Sequence, residues 1–259
     1  MAERREDLTF WEHLDELRSA LIRIISAGLV CGIVAFVFKE WLFDFVLAPS
    51  KSDFITYRLF NRLGGITGTA VEEFSVDLIN TALAQQFIIH MKTAFLVGLL
   101  CASPYIIYCL MRFIAPALYH TERRLVFGVV GCGYAMFVVG MALCYLLIFP
   151  LTFRFLGTYQ VSNEVVNMIS LESYISTLTS MTLMMGIVFE MPILCWLVAK
   201  LGFLDDAVMR NYRRHAIVVI LIVAAIITPT SDVFTLTLVS LPIWLLYEIS
   251  ILVVSKAKQ

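Results

Sequence analysis

The chain has 259 residues, 60% of them hydrophobic and only 15% charged, with a formal net charge of −1. Mean hydropathy is +0.88. Soluble domains run at about 45–50% apolar and about 25% charged residues, so the surplus apolar surface requires lipid as its solvent and excludes an ordinary soluble globular domain.

The opening stretch, "MAERREDLTFWEHLDELRS", is too charged for a cleavable signal peptide and is expected to remain in place. Within it, "FWEHLDELRSALIRI" has helical periodicity, with Leu14, Leu17, Leu21 and Ile24 recurring at three- and four-residue spacing. This predicts an amphipathic helix at the membrane surface that leads into a first span. Six apolar runs follow, at roughly 20–38, 87–112, 126–149, 174–199, 215–228 and 233–254. A spanning helix needs about 20 residues. The fifth run, "HAIVVILIVAAIIT", is short, and "TPTSD" (228–232) reads as the tight turn of a hairpin joining it to the sixth.

The expected architecture is all-α: a polytopic membrane protein of six transmembrane helices in a single domain, 1–259, with both termini cytoplasmic. The orientation rests on basic residues. In this topology Arg4, Arg5, Arg18, Arg23, Arg112, Arg123, Arg124, Lys200, Arg210, Arg213, Arg214, Lys256 and Lys258 fall inside. Lys39, Lys51, Arg58, Arg62 and Arg154 fall outside, with Lys92 at the outer end of run two. The segment 39–86 then forms a long outer loop containing Pro49 and the glycine-rich "RLGGITGTAVEEF". Trp41, Tyr159 and Tyr174 take interfacial positions.

Six cysteines, Cys31, Cys101, Cys109, Cys132, Cys144 and Cys195, lie in apolar runs without a CxxC pair and read as small packing residues. No HExxH, GxSxG or glycine-rich phosphate loop is present, so neither an enzyme nor a cofactor is expected.

The charged residues divide more sharply. Glu122, beside Arg123 and Arg124, reads alone as a partner of its neighbours. Glu190 in "MGIVFEMPILCW" falls about 15 Å from the inner boundary, near mid-membrane. A charge there costs on the order of 2.5–3.5 kcal/mol. It is either functional or a carboxyl hydrogen-bonded within the bundle, to Ser180, Thr182 or hydroxyls of the last hairpin. Gly186 and Pro192 bracket it and predict a kink or close approach. Asp232 is placed to cap the sixth span, and Glu248 to pair with Lys256 or face a groove.

Four motifs occur in order: "EHLDELRSALI", "FIAPALYHTERR", "FEMPI" and "TPTSDVF". Together with six spans they resemble the TatC family, the multispanning core of the twin-arginine protein translocase, over almost the whole chain. The resemblance implies a bacterial inner-membrane receptor that binds twin-arginine signal peptides of folded cargo, works with TatA- and TatB-type single-span partners, and self-associates. By motif position it implies that Glu16 and Glu122 bind the paired arginines, with Phe113 and Leu118 lining the same cytoplasmic site. Glu190 would be the polar residue of span four that docks partner helices; Pro49 matches the first outer loop and Asp232 the outer hairpin. The chain departs from the family at Cys109 and Met111, where glutamine and tryptophan are common, and at Leu236, where glutamine is common. The competing reading is a proton-coupled small-molecule transporter that uses Glu190 as its proton carrier.

Overall fold

The computed structural model describes residues 10–67, 77–114, 126–160, 162, 167–228 and 232–257. Eleven α-helices are described: α1 (Phe10–Val37), α2 (Lys39–Leu47), α3 (Ile55–Thr67), α4 (Gln85–Ile114), α5 (Val126–Leu143), α6 (Phe149–Thr158), α7 (Leu171–Phe189), α8 (Met191–Lys200), α9 (Asp206–Asn211), α10 (Arg213–Ile227) and α11 (Val233–Ala257). Two short strands, β1 (Leu78–Ile79) and β2 (Ile169–Ser170), pair in parallel. Among the described residues, five segments are long and apolar enough to cross a membrane: Leu14–Val37, Gln85–Leu110, Val130–Thr158, Leu171–Lys200 and Val233–Lys256. The expected fifth span is α10, whose 15 residues rise only about 22 Å against a hydrocarbon core of about 30 Å.

The residues group into two compact units, Met1–Phe38 with Ala94–Tyr134, and Lys39–Thr93 with Ala135–Gln259. In the first unit, α1 runs unbroken from Phe10. The expected surface helix and first span are therefore one helix, because no proline interrupts the stretch between them. Its leucine stripe is split, with Leu17 and Ile24 half-buried. Leu14 and Leu21 are exposed, as are Ile22, Ile25 and Leu29. The packing face is made by glycines. Ideal Cβ atoms place Gly28 3.5 Å from Leu99 and Gly32 3.5 Å from the Phe95 backbone, so α1 and α4 run antiparallel. A Cβ on Gly98 would stand 2.3 Å from the Gly32 nitrogen, which only glycine allows. Gly28 and Gly32 form the small-xxx-small spacing that lets membrane helices approach.

The second unit is held at one end by hydroxyl-to-carbonyl bonds. A π-helical segment, Cys144–Ile148, joins α5 to α6. The helical donor for the Leu146 carbonyl would be the amide of residue 150, and Pro150 has none. The Thr56 hydroxyl donates to that carbonyl instead. The Tyr57 hydroxyl lies 2.9 Å from the Pro150 carbonyl and 3.2 Å from that of Pro49, sharing its proton between them. Tyr145 and Tyr174 donate to the carbonyls of Phe45 at 2.6 Å and Val46 at 3.1 Å. Tyr174, expected at the interface, is thus only 2% exposed, stacked edge-on against Phe149 and Phe153. Trp41 and Tyr159 are exposed. The segment 39–86 is no open loop where described. It holds α2, α3 and β1, and the Gln85 amide ties it to Glu172, which Lys92 also approaches at 3.5 Å.

Burial holds the Tyr57 phenol protonated well above its usual range, with Arg154 pulling the other way. A raised pKa means the neutral form is the stabilising one. Its contribution is complete below about pH 10, the ordinary phenol value, and is lost only as pH climbs beyond that. Thr56→Val keeps shape but strands the Leu146 carbonyl, so it should cost about 1–3 kcal/mol. Thermal unfolding in detergent reads this; an unchanged midpoint would show that another donor serves this carbonyl.

Candidate functional site

The α1–α4 seam closes at Gly32 and Gly98 and holds a cavity of about 100 Å³ toward the other end, lined by Glu16, Ser19, Ala20, Arg23, Tyr105, Tyr108, Cys109 and Arg112. Two helical stripes make it. Residues 16, 19, 20 and 23 recur at i, i+3, i+4, i+7 on α1, and 105, 108, 109 and 112 do the same on α4. Glu16 is half-buried, Cys109 is buried, and Arg23 and Arg112 are exposed. The Tyr105 and Tyr108 rings lie 6.5 Å apart at 33°. A carboxylate flanked by aromatic rings can accept a guanidinium fork while a ring face covers the guanidinium plane. Phe113 falls on the last turn of α4. Leu118 and Glu122 lie outside the described residues.

The second unit carries the other candidates. Glu190 sits where the helix of the fourth span breaks, between α7 and α8. Pro192 removes an amide from the ladder. The Glu190 amide turns to the Ile187 carbonyl at 3.1 Å, and the Glu190 carbonyl takes the amides of Ile193 and Leu194, each at 3.0 Å. Gly186 and Gly140 mark the close approach. A Cβ on Gly186 would stand 2.8 Å from the Phe137 ring, and one on Gly140 2.7 Å from the Met185 carbonyl oxygen. The expected hydrogen bond to the carboxyl is not made. The Ser180 hydroxyl donates to the Thr177 carbonyl, and Glu190 Oε1 is buried without a partner among the described residues.

Pro49 is buried in a 3₁₀ turn, Ala48–Ser50, with its carbonyl facing Tyr57. Asp232 Oδ1 accepts the Thr235 amide at 2.6 Å at the start of α11. Glu248 pairs with Arg213 at 2.7 Å, not with Lys256, because Arg213 opens α10 beside the inner half of α11.

Residues 12–242 match the family model for "Sec-independent protein translocase protein (TatC)". The chain belongs to the TatC family. The TatC protein of Blattabacterium sp. subsp. Periplaneta americana is 34% identical over the whole of both chains. That of Deinococcus radiodurans is 34% identical over 93% of this chain and 83% of its own. A crystal structure described as the twin-arginine translocase receptor TatC superposes with a TM-score of 0.76 at 32% identity, covering 96% of this chain and 100% of that one. TatC membership makes this a protein-transport component with several membrane helices rather than a member of an enzyme family.

Motif reading placed Glu16 but missed Arg23, Tyr105, Tyr108 and Arg112. Their signal was the matching stripe on two separate helices, visible only once the glycines set which faces meet. A further consequence concerns Glu190. A buried acceptor without a donor is a cost, so Glu190→Leu should raise the stability of the isolated protein by about 1 kcal/mol. A fall of that size in a detergent melt would reveal a partner for the carboxyl.

Proposed function

We propose that this chain is the receptor and core subunit of a twin-arginine translocase in a bacterial cytoplasmic membrane, exporting folded proteins with TatA- and TatB-type single-span partners. The observation that carries the reading is Glu16 in a cavity between α1 and α4 of a TatC-family chain. Paired arginines in a signal peptide present two planar forks, which suit two carboxylates. Glu16 supplies one and Glu122 the other, with Phe113 and Leu118 beside them. Six spans with both termini cytoplasmic put Glu16 and Glu122 on one side. α10 serves as the short fifth span, accommodated by local thinning of the bilayer.

Glu190 takes a different role. Its unpartnered oxygen suits a polar group on a small partner helix that would otherwise face hydrocarbon unpaired. Pro49 and Asp232 support the outer face, where copies of the chain associate. The transporter reading loses ground because a second titrating carboxyl in the spans is wanted, and Glu248 is already committed to Arg213.

The test is binding of a labelled twin-arginine peptide. Glu122→Ala removes one carboxylate of a charge-assisted pair, about 1.5–3 kcal/mol, or roughly tenfold to a hundredfold in affinity. Glu16→Ala should act alike, and the double variant should fall short of additive if both grip one arginine pair. Peptide affinity unchanged in both single variants would end the receptor reading.

Topology is checked separately. In a background freed of native thiols, cysteines at Ser52 and Asn163 should label from outside intact cells, and those at Thr121 and Asp206 only after permeabilisation. Outside labelling at Thr121 would place Glu122 on the wrong side.

A further inference from the structure

Among the described residues that line it, the cavity that holds Glu16 carries one carboxylate and two arginines, so the described charges do not balance. Glu16 contributes one negative charge, and Arg23 and Arg112 contribute two positive ones. Arg23 lies in the first half of the apolar segment Leu14–Val37. Neither arginine has an ion-pair partner among the described residues. The Ser19 hydroxyl in the lining can donate. On the receptor reading Glu122 adds a second carboxylate, and an arginine pair approaching it and Glu16 would still meet two like charges.

We propose that the cavity is a phosphate-binding site, in which Arg23 and Arg112 hold a phosphate group and thereby open Glu16 to an arginine pair. The second half of this proposal rests on the receptor reading; the first does not. Phosphate fits the donor set. Guanidinium forks match phosphate oxygens bidentately, and a tetrahedral anion has oxygens left for hydroxyl donors. The bound anion cancels the excess positive charge, so the cavity turns from repelling a dication to accepting it. The site lies between two apolar helices, where the phosphate can come from a phospholipid headgroup or from free phosphate in the aqueous phase.

The experiment uses the full chain purified in maltoside detergent without phospholipid or phosphate. Native mass spectrometry reads retention of added phosphatidylglycerol. Fluorescence anisotropy reads affinity for a labelled twin-arginine peptide, before and after adding phosphatidylglycerol or inorganic phosphate. The wild type should retain the lipid and bind peptide about tenfold more tightly once an anion is present, the effect of one charge-assisted contact. The Arg23→Gln/Arg112→Gln variant should neither retain the lipid nor respond. Arg23→Lys/Arg112→Lys should recover part of both, which separates lost charge from a lost fold.

A response to phosphatidylglycerol alone assigns the site to a headgroup, and an equal response to inorganic phosphate assigns it to the free anion. Failure of the wild type to retain lipid or respond to either phosphate source, or the same response in wild type and the glutamine variant, overturns the proposal. Arginine-dependent lipid retention with no peptide binding by any form would leave the phosphate site standing and remove the receptor reading.

Discussion

Hydrocarbon offers no hydrogen-bond partner, so every peptide group freed inside a membrane helix must be met from within the protein. Proline frees such groups, and it occurs in four of the five long apolar segments, at Pro104, Pro150, Pro192 and Pro242. At Pro150 the chain widens into a π turn, and Thr56, from α3 outside the spans, supplies the missing donor. At Pro192 the helix divides and the Glu190 carbonyl accepts two amides. The helices of the segment 39–67 are therefore part of how this unit closes its backbone. Tyr57, Tyr145 and Tyr174 extend the same device, each phenol ending on a main-chain carbonyl of that segment or of Pro150.

The same solvent inverts the usual meaning of a helical stripe. In water, Leu14, Leu17, Leu21 and Ile24 would mark a face that packs. Between lipid and protein there is no hydrophobic gain in hiding leucine, so small residues take the seam and large apolar ones face the acyl chains. That is why Leu14 and Leu21 stand exposed on α1 while Gly28 and Gly32 are buried, and the surface helix expected before the span is simply its first turns. The glycines at 28, 32 and 98 held the information, but spacing alone did not say which glycines meet.

Legibility of the site follows the same division. Helix ends, the break at Glu190 and the Asp232 position were readable because Pro, Gly and capping residues act locally. Partners were not. Tyr174 was assigned to an interface from its place at a helix end, whereas its ring lies in an aromatic cluster with a residue 128 positions away as acceptor. Glu248 was matched to the nearest lysine in sequence, whereas antiparallel α10 and α11 bring Arg213 to it. Glu16 was legible only through its motif. Its company in the cavity depends on the register of α1 against α4, a non-local quantity that no single helix encodes.

Glu190 and Glu248, on the apolar helices of the second unit, differ in what holds them. Glu248 is closed by Arg213 at 2.7 Å, so its charge is spent on holding α10 to α11. Glu190 sits at the break between α7 and α8 and keeps one buried oxygen without a donor among the described residues. Hydroxyls such as Ser180 and Thr182 stand on the same helix, yet neither is turned to it. An unpaired buried acceptor costs about 1–3 kcal/mol, a penalty that an apolar residue of similar volume would remove. No described residue of the chain relieves that cost at Glu190. The break beside Pro192 fixes where along the span the carboxyl is carried, between α7 and α8.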